Sequence, residues 1–508
     1  MESEVPAPLR GGALFLAGIG LALATFIDVL DYSIANVSIP YIAGDLAVSN
    51  DEGTYVITSF AVGSAIGLPV TGFLARRVGT VRLTIWSILL FTLFSWLCGL
   101  SFTLPLLVVN RFFQGLASGP LIPLSQTLIT RCFPKEKRVV ALAFWSTVVV
   151  VAPVLGPMLG GWISYDYYWP WIFYVNIPVG LFSAFVIYRT MKSFETKKEK
   201  SPIDWMGLAL LAISMSTLQI FLDKGQEWDW WRSPRIQVLA TVSLISFVYL
   251  IIWEWWHKRP ILDLKLLKIR SFSLSLFFIA LSYAIYFGGV VLMPLWLQVW
   301  MGYTSIWAGW AVAPLGIIPF CFSFSIPHMI QKFGVLTMLA ICFTLFSASC
   351  FYTAYFYTDV DFWHVALSRL SFGAGMLFFI TPLLTLSMQD MPFEHQASGA
   401  GIFHFIRALF GGIGTSVFTT LWMRRTYFHH SNLIVNITPL NPMSNSAVQQ
   451  LTQLGFTQES AMAQLDLAIN QQASVLALND CFWVMAWTFP ILLLMLPLGM
   501  QRKKVQSC

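Results

Sequence analysis

Two acidic side chains lie inside the first apolar run of the sequence. Asp28 and Asp31 are three positions apart, so a helix would place both on one face. An ionised carboxylate is costly in hydrocarbon and is tolerated chiefly where it faces a cavity or a partner. We therefore predict that both residues take part in proton or cation coupling, and the alternative is a pair of carboxyl groups that only pack helices together.

Two further charged residues are candidates for the same chemistry. Arg111 follows Asn110 inside the fourth apolar run, where its guanidinium keeps its proton and must find carbonyl groups, a carboxylate or water. A fixed positive charge there could couple a nearby carboxyl group to the occupancy of a substrate site. Asp223 lies at the outer end of the seventh run, where a cap or a salt bridge with Lys224 or Arg232 competes with a coupling role.

Two stretches rich in glycine predict helices that approach closely and move. The first is a basic turn between the second and third runs, and its candidate gating residues are Gly72, Arg76, Arg77 and Gly79. The second lies in the fifth run, and its candidates are Pro153, Gly156, Pro157, Gly160 and Gly161. Small residues permit close interhelical contact and prolines permit bending, so we predict a gating role for both stretches. A positive-inside turn and generic helix packing are the alternatives.

Polar and aromatic residues in several runs are candidates for lining a cavity. His404 and Arg407 lie one turn apart in the thirteenth run and could face an anionic compound, although satisfied buried polar groups are the alternative. The other candidate cavity residues are Asn36, Gln126, Trp296 and Gln298.

The other reactive side chains do not form a recognisable enzyme or metal site. The seven cysteines include no CxxC pair, and the seven histidines show no metal-ligand spacing. A membrane-embedded enzyme, the remote alternative, would need clustered His, Asp or Glu residues or an activated nucleophile near one interface. We predict no catalytic residue, no metal and no cofactor, with a proton gradient as the energy source.

These residues must be positioned by helices that cross a membrane. Of the 508 residues 57% are hydrophobic and only 11% are charged, whereas soluble proteins carry roughly 25% charged residues. Apolar runs of about 20 residues are long enough to cross a hydrocarbon core of roughly 30 Å as helices. We predict an all-α polytopic membrane protein with about fourteen spans. The spans are predicted at 13–36, 54–75, 81–101, 103–130, 139–163, 170–191, 205–222, 236–256, 271–298, 304–326, 334–357, 362–388, 396–422 and 480–500.

The distribution of basic residues predicts the orientation of the chain. If the amino terminus is cytoplasmic, most of the 30 Lys and Arg residues fall in segments on the cytoplasmic side, where such residues collect in membrane proteins. Both termini are therefore predicted to be cytoplasmic. The same bias accounts for the net charge of +6 without nucleic acid as a partner.

An internal repeat divides the chain, since Arg111 and Gly115 recur as Arg369 and Gly373. Parallel repeats are common in transporter folds. We predict a six-helix half at 1–192, a linker with two additional helices at 193–270, and a second six-helix half at 271–508.

One polar segment interrupts the second half, at 426–480. It is too polar to span a membrane, and its apolar spacing predicts short amphipathic helices at 447–454 and 460–478 outside the membrane. It either packs on the helical bundle or docks a partner.

Several of these stretches resemble the signature motifs of the major facilitator superfamily in their order and position. They are 30–37, 72–79, 110–115 and 152–161, and the last resembles the antiporter motif. Three more are similar to the fourteen-span drug:proton antiporters of the EmrB/QacA family, namely 171–180, 222–225 and 229–230. The superfamily usually has an acid at the position of Arg76, so a carboxylate latch is not expected at that turn.

The resemblance implies a major facilitator fold with two six-helix halves and two inserted helices. It implies proton-coupled efflux of hydrophobic or amphipathic small molecules by alternating access, or a dedicated exporter of a metabolite such as a siderophore. It also implies the bacterial inner membrane and a tripartite system with a periplasmic membrane-fusion adaptor of the EmrA type and an outer-membrane TolC-like channel. The segment 426–480 is then the candidate docking site.

Overall fold

The computed structural model describes residues 9–196, 198, 204–257, 260–392, 395–435, 437 and 441–499. Within these ranges the regular elements are helices, as the sequence predicts. Helices suit an apolar chain because a segment in hydrocarbon must satisfy its backbone hydrogen bonds internally.

The first part of the chain folds into helices α1 to α9. Their bounds are α1 (Gly11–Asp45), α2 (Asn50–Gly53), α3 (Tyr55–Val78), α4 (Thr80–Gly99), α5 (Leu104–Ser118), α6 (Leu121–Cys132), α7 (Lys135–Asp166), α8 (Trp171–Tyr174) and α9 (Asn176–Met191). Helix α1 packs against α7 and α9, and α3 packs against α5. A Cβ atom at Gly115 of α5 would overlap the carbonyl oxygen of Phe60 in α3, so this glycine permits the close approach. The approach holds the buried Arg111 beside α3.

Two helices, α10 (Trp205–Lys224) and α11 (Pro234–Trp256), follow the first half. They pack against each other, and α10 also lies along α3. Asp204 caps α10 by accepting a hydrogen bond of 2.9 Å from the backbone N–H of Gly207. It also accepts one of 2.9 Å from the indole N–H of Trp253, so the cap joins the two inserted helices.

The last part of the chain contains helices α12 to α21. Their bounds are α12 (Arg270–Val299), α13 (Ser305–Val312), α14 (Ile317–Phe322), α15 (Ile326–Phe333), α16 (Val335–Thr353), α17 (Phe362–Leu377), α18 (Ile380–Met388), α19 (Gln396–Ile434), α20 (Pro442–Gln453) and α21 (Gln458–Met495). Helix α19 packs against α12 and α21. The two halves meet where α3 and α6 contact α19 and where α7 contacts α13, α14 and α15.

The number of helices that can cross a membrane depends on how broken helices are counted. In the described ranges, 12 helical stretches are long and apolar enough, and α7 adds one more if its two parts, bent by 45°, form one span. The predicted span at 103–130 consists of two shorter helices, α5 and α6, separated at Gly119 and Pro120. The predicted count of fourteen is reached only when both broken runs are counted as single crossings.

Helix α19 extends beyond the predicted span at 396–422, and α21 begins before the predicted span at 480–500, whose last residue lies outside the described part of the structure. Helix α19 continues to Ile434 and α21 begins at Gln458. At 1.5 Å per residue, α19 is about 58 Å long, roughly twice a hydrocarbon core. Asp480 of α21 accepts hydrogen bonds from Arg425 at 2.5 Å and from His429 at 2.7 Å, both in α19. These bonds join the two helices outside their apolar parts and so stabilise the additional turns of both. The predicted helix at 447–454 lies in α20 except for its last residue, and the one at 460–478 lies in α21, where it is continuous with the last span.

Candidate functional site

A buried ion pair joins the first and fifth helices. Asp31 of α1 and Arg111 of α5 are both inaccessible to solvent, and Nη1 of Arg111 lies 2.5 Å from Oδ2 of Asp31. The two charges compensate each other where water is excluded. Two of the residues predicted to couple protons are thus in direct contact.

Several neighbours hold this pair in place, although Nη2 of Arg111 has no hydrogen-bond partner among the described residues. The amide of Asn176 in α9 donates a hydrogen bond of 2.8 Å to Oδ1 of Asp31, and Nε of Arg111 donates one of 3.2 Å to the carbonyl oxygen of Val56. Oε1 of Gln114 accepts a second bond, of 2.8 Å, from Nη1. The ring of Phe60 lies 4.3 Å from the guanidinium carbon, which allows a cation–π contact. Four helices therefore meet at one carboxylate and one guanidinium.

Asp28 is also buried, but it binds a different partner. Its carboxyl group forms a hydrogen bond with Ser118 near the end of α5, and Arg407 of the second half lies within electrostatic range. Asp28 and Asp31 therefore lie on one helix and have different hydrogen-bond partners, although the two carboxyl groups also interact electrostatically with each other.

Asp223 lies one residue before the end of α10 and is exposed. It accepts a hydrogen bond of 3.0 Å from Gln219, and Thr58 of α3 also bonds to its carboxyl group. Lys224, its predicted salt-bridge partner, instead binds Glu227 at 2.5 Å and Thr54 at 2.9 Å. Asp223 therefore faces α3, whereas Lys224 ties α10 to the start of that helix.

Two of the predicted cavity residues form a contact between the halves. Nε2 of His404 in α19 lies 2.7 Å from Oε1 of Gln126 in α6, and both side chains are buried. Arg407, one turn further along α19, donates a hydrogen bond of 2.9 Å to the hydroxyl of Tyr283. Nδ1 of His404 and Nε of Arg407 have no hydrogen-bond partner among the described residues. Two buried polar atoms between the halves are thus left without a hydrogen-bond partner in the described part of the structure.

The other predicted cavity residues are not brought to this contact. Asn36 is exposed, and Trp296 is buried in the core with its indole N–H unpaired among the described residues. Gln298 is half-buried and donates a hydrogen bond of 3.2 Å to the carbonyl oxygen of Pro294 in its own helix.

The predicted gating turn contacts both the second half and the linker. Nη1 of Arg76 donates a hydrogen bond of 2.6 Å to the hydroxyl of Ser398 in α19, and a Cβ atom at Gly72 would lie 2.8 Å from the Cα of Ser398. Gly79 has a φ of 101°, which favours glycine, and Glu195 fills the space beside it. Arg77 is exposed.

The glycines of α7 lie directly against α1. A Cβ atom at Gly156 would overlap the hydroxyl of Ser33, and one at Gly160 would lie 2.6 Å from the carbonyl oxygen of Ile34. Gly161 is buried and Pro153 is half-buried. The bend of α7 falls between Pro153 and Met158, so it includes Pro157, whose side chain lies outside the described part of the structure. Proline explains such a bend because it removes a backbone hydrogen bond of the helix.

Three polar members of the site, Asn176, Gln114 and Ser118, are not among the residues that the sequence predicts. The first two lie in stretches that resemble family motifs, which was the available signal. Neutral polar residues in apolar helices are common, so residue type alone does not reveal which of them meet a buried charge.

The site contains a buried carboxylate, Asp31, whose charge would change on protonation beside the fixed positive charge of Arg111. Among the described residues, no three His, Cys, Asp or Glu side chains come together as metal ligands. A buried ion pair in a bundle of membrane-capable helices is typical of ion and proton pathways. Fold and site together are those of a multi-pass membrane transporter.

Comparison with known proteins identifies the family. The model of the Major Facilitator Superfamily matches residues 21–415. The multidrug export protein EmrB of Escherichia coli K12 is 42% identical over 487 residues, which cover 96% of this chain and 95% of that protein. The fatty acid resistance protein FarB of Neisseria gonorrhoeae is 40% identical over 486 residues, covering 96% of each. A solved peptide transporter, POT, has the same fold with a TM-score of 0.57 at 14% identity, covering 96% of this chain and 97% of its own. The chain belongs to the Major Facilitator Superfamily.

Proposed function

We propose that this protein is a proton-coupled antiporter that exports hydrophobic or amphipathic small molecules across the bacterial inner membrane. Relatives that align over nearly the whole chain are named for multidrug export and fatty acid resistance, which supports efflux of such compounds. The buried pair of Asp31 and Arg111 is the observation that carries the coupling part of the proposal.

Protonation of Asp31 would remove the negative charge that holds the guanidinium of Arg111. Removing one partner of a buried ion pair costs about 3–5 kcal/mol. A proton moving through a membrane potential gains about 2.3 kcal/mol per 100 mV. The two energies are of the same order, so protonation of Asp31 would shift the balance between conformations by an amount comparable to the energy that the proton supplies.

Alternating access would then proceed by rocking of the two halves, 1–192 and 271–508, with the inserted segment 193–270 moving beside them. The Gln126–His404 contact lies between the halves, and it would separate or re-form as the central cavity changes sides. No cofactor is needed, because the proton gradient supplies the energy.

The location and partners follow from the same relatives. We place both termini in the cytoplasm because most Lys and Arg residues then face that side. The outer ends of α19 and α21, with α20 between them, would dock an EmrA-like adaptor that leads to a TolC-like channel. Exposed apolar side chains on these helices support this assignment, among them Val435, Met443 and Leu454.

Reconstituted protein tests the coupling. Proteoliposomes with a pH dye inside receive a proton gradient and then ethidium or decanoate as the transported probe. We expect wild-type protein to move protons and probe in opposite directions, and Asp31→Asn to lose gradient-driven transport while it still binds Asn176. Transport that continues unchanged in Asp31→Asn, or after the gradient is collapsed, would contradict the proposal.

Asp45→Asn is the matched control for this experiment. Asp45 lies on the same helix but is exposed and accepts hydrogen bonds from Tyr168 and Trp169 near the outer end. This variant should transport at the wild-type rate, which separates coupling from a general effect of removing an acid from α1.

A further inference from the structure

A second buried guanidinium lies in the other half of the molecule. Arg369 of α17 is completely buried, and none of the ion pairs found among the described residues includes it. A buried charge without a counter-ion is costly in a low-dielectric interior. The side chain therefore needs compensation from another source.

Hydrogen bonds use only part of the guanidinium. Nη2 donates to the hydroxyls of Thr353 at 3.0 Å and Ser368 at 2.9 Å, whereas Nε and Nη1 have no partner within the described residues. A guanidinium carries five N–H donors. Because Nη1 has two hydrogens and Nε has one, three of the five are unused in a place that water does not reach.

The neighbours of Arg369 are hydroxyl groups and aromatic rings. Ser349 and Ser371 extend the hydroxyl cluster, since Ser371 donates to Ser349 at 3.0 Å. The rings of Phe372 and Phe482 lie 5.5 and 5.3 Å from the guanidinium carbon. These contacts provide weak stabilisation, but none provides a full negative charge.

The first half shows what is missing. Arg111, the equivalent arginine in the repeat, has Asp31 on α1 as its counter-ion. Helix α12, which begins the second half as α1 begins the first, contains no acidic residue between Arg270 and Val299. The second half therefore has the guanidinium without a carboxylate on the corresponding helix.

We propose that Arg369 binds a small monovalent anion, which completes the charge balance of the second half. The guanidinium and the hydroxyl cluster suit a halide such as chloride, or the carboxylate of a small organic acid. The site lies apart from the Asp31–Arg111 pair and does not depend on the proposed export function.

Thermal unfolding of the purified full-length chain tests this site. The unfolding midpoint is followed by tryptophan fluorescence in HEPES buffer without added salt, and again after addition of sodium chloride or sodium acetate, and the variants below separate specific binding from the general effect of ionic strength. We expect chloride to raise the midpoint of the wild-type protein by about 2 °C or more, because a ligand that binds only the folded state stabilises it. A rise with acetate but not with chloride would identify the carboxylate as the ligand.

Two variants and one control make the outcome specific. Ser368→Asp places an internal carboxylate next to Nη2, so it should lose the anion response while remaining folded, and Arg369→Gln should lose it as well. Arg425→Gln, which removes a charge paired with Asp480 elsewhere, should keep the response. No anion response in the wild type, or equal responses in the wild type and Ser368→Asp, would overturn the proposal.

Discussion

Asp31 and Asp28 show how position on one helix assigns different tasks to the same side chain. Asp31 is paired with a guanidinium, so its protonation changes the charge balance of the first half. Asp28 bonds to the hydroxyl of Ser118 and has Arg407 of the second half within electrostatic range. The charged partner of the first carboxyl group therefore lies in its own half, while a charged neighbour of the second lies in the other half.

Gly156 provides a residue-scale test of the contact between α1 and α7. A Cβ atom there would overlap the hydroxyl of Ser33 and lie 3.0 Å from the backbone nitrogen of Ile34. Gly156→Ala should therefore separate the helices and destabilise the protein by about 1–3 kcal/mol, the usual cost of overpacking. The measurement is the unfolding midpoint, with transport in proteoliposomes as a second readout.

Gly289→Ala is the control for this change. Its added Cβ atom would lie 3.5 Å from the sulfur of Met485, which is ordinary van der Waals contact. This variant should keep the wild-type midpoint, and Ser33→Gly should partly restore stability to Gly156→Ala. An unchanged midpoint for Gly156→Ala alone would show that the two helices are not in close contact.

Charged members of the site could be predicted from the sequence, but their neutral partners could not. Asp31 and Arg111 stand out because a charge inside an apolar run requires a reason. Gln126 and His404 were predicted as separate cavity residues, and their contact across the halves depends on how α6 and α19 are rotated against each other. The rotation of each helix about its axis depends on packing throughout the bundle, and a local sequence pattern does not contain that information.

The elements follow the apolar runs closely, apart from the broken runs in α5–α6 and α7 and the outer ends of α19 and α21. Hydropathy marks where a helix leaves hydrocarbon, not where the helix ends. Helix α19 continues in polar sequence because cross-helix pairs stabilise it, including His430 with Asp466 at 3.0 Å. The predicted external loop therefore contains helices instead: the end of α19, helix α20 and the start of α21. We call this part of the chain, at 426–480, the projection.

The projection supports a prediction about docking. Val435, Met443 and Leu454 are at least 70% exposed, so their apolar surface is available to a partner. Replacing all three with serine should leave transport in proteoliposomes unchanged, because none of them is among the groups that bind Asp31 or Arg111. The same variant should fail to co-purify with an EmrA-like adaptor and should lose export in whole cells.

A second surface on the predicted outer side serves as the control. Tyr355, Tyr357 and Trp363 are also exposed, and they lie near the start of α17 and not on the projection. Their serine variants should still capture the adaptor. Equal capture by both triple variants would mean that apolar contacts on the projection do not mediate docking.

At the scale of the whole molecule, the two halves contact each other along two helix interfaces, which we call seams. For the central cavity to open first to one side of the membrane and then to the other, the helices at one end of each seam must separate. One seam contains the contact of Gly72 and Arg76 with Ser398, at the predicted cytoplasmic ends of α3 and α19. The other lies between α7 and the helices α13 to α15. Because Arg76 stands where the superfamily usually has an acid, this closure depends on a hydrogen bond and tight packing instead of a carboxylate.

A reversible cross-link across the first seam tests whether it must open. A Cβ atom at Gly72 would lie 3.1 Å from that of Ser398, close to the separation of about 3.5–4.5 Å that a disulfide requires. The pair Gly72→Cys and Ser398→Cys is introduced together with Cys321→Ser and Cys508→Ser. Removing these two thiols prevents other disulfides from forming on oxidation, and Cys321 is exposed. Oxidation should stop gradient-driven export, and a thiol reductant should restore it.

The pair Thr80→Cys and Thr196→Cys is the matched control for that cross-link. The two hydroxyls are 3.1 Å apart, and the pair joins α4 to the start of the linker on the same predicted side without bridging the halves. Oxidation of this pair should leave export unchanged. If the cross-linked Gly72 and Ser398 pair also exports at the full rate, this seam stays closed throughout the cycle, and the rocking of the two halves would be excluded as the mechanism.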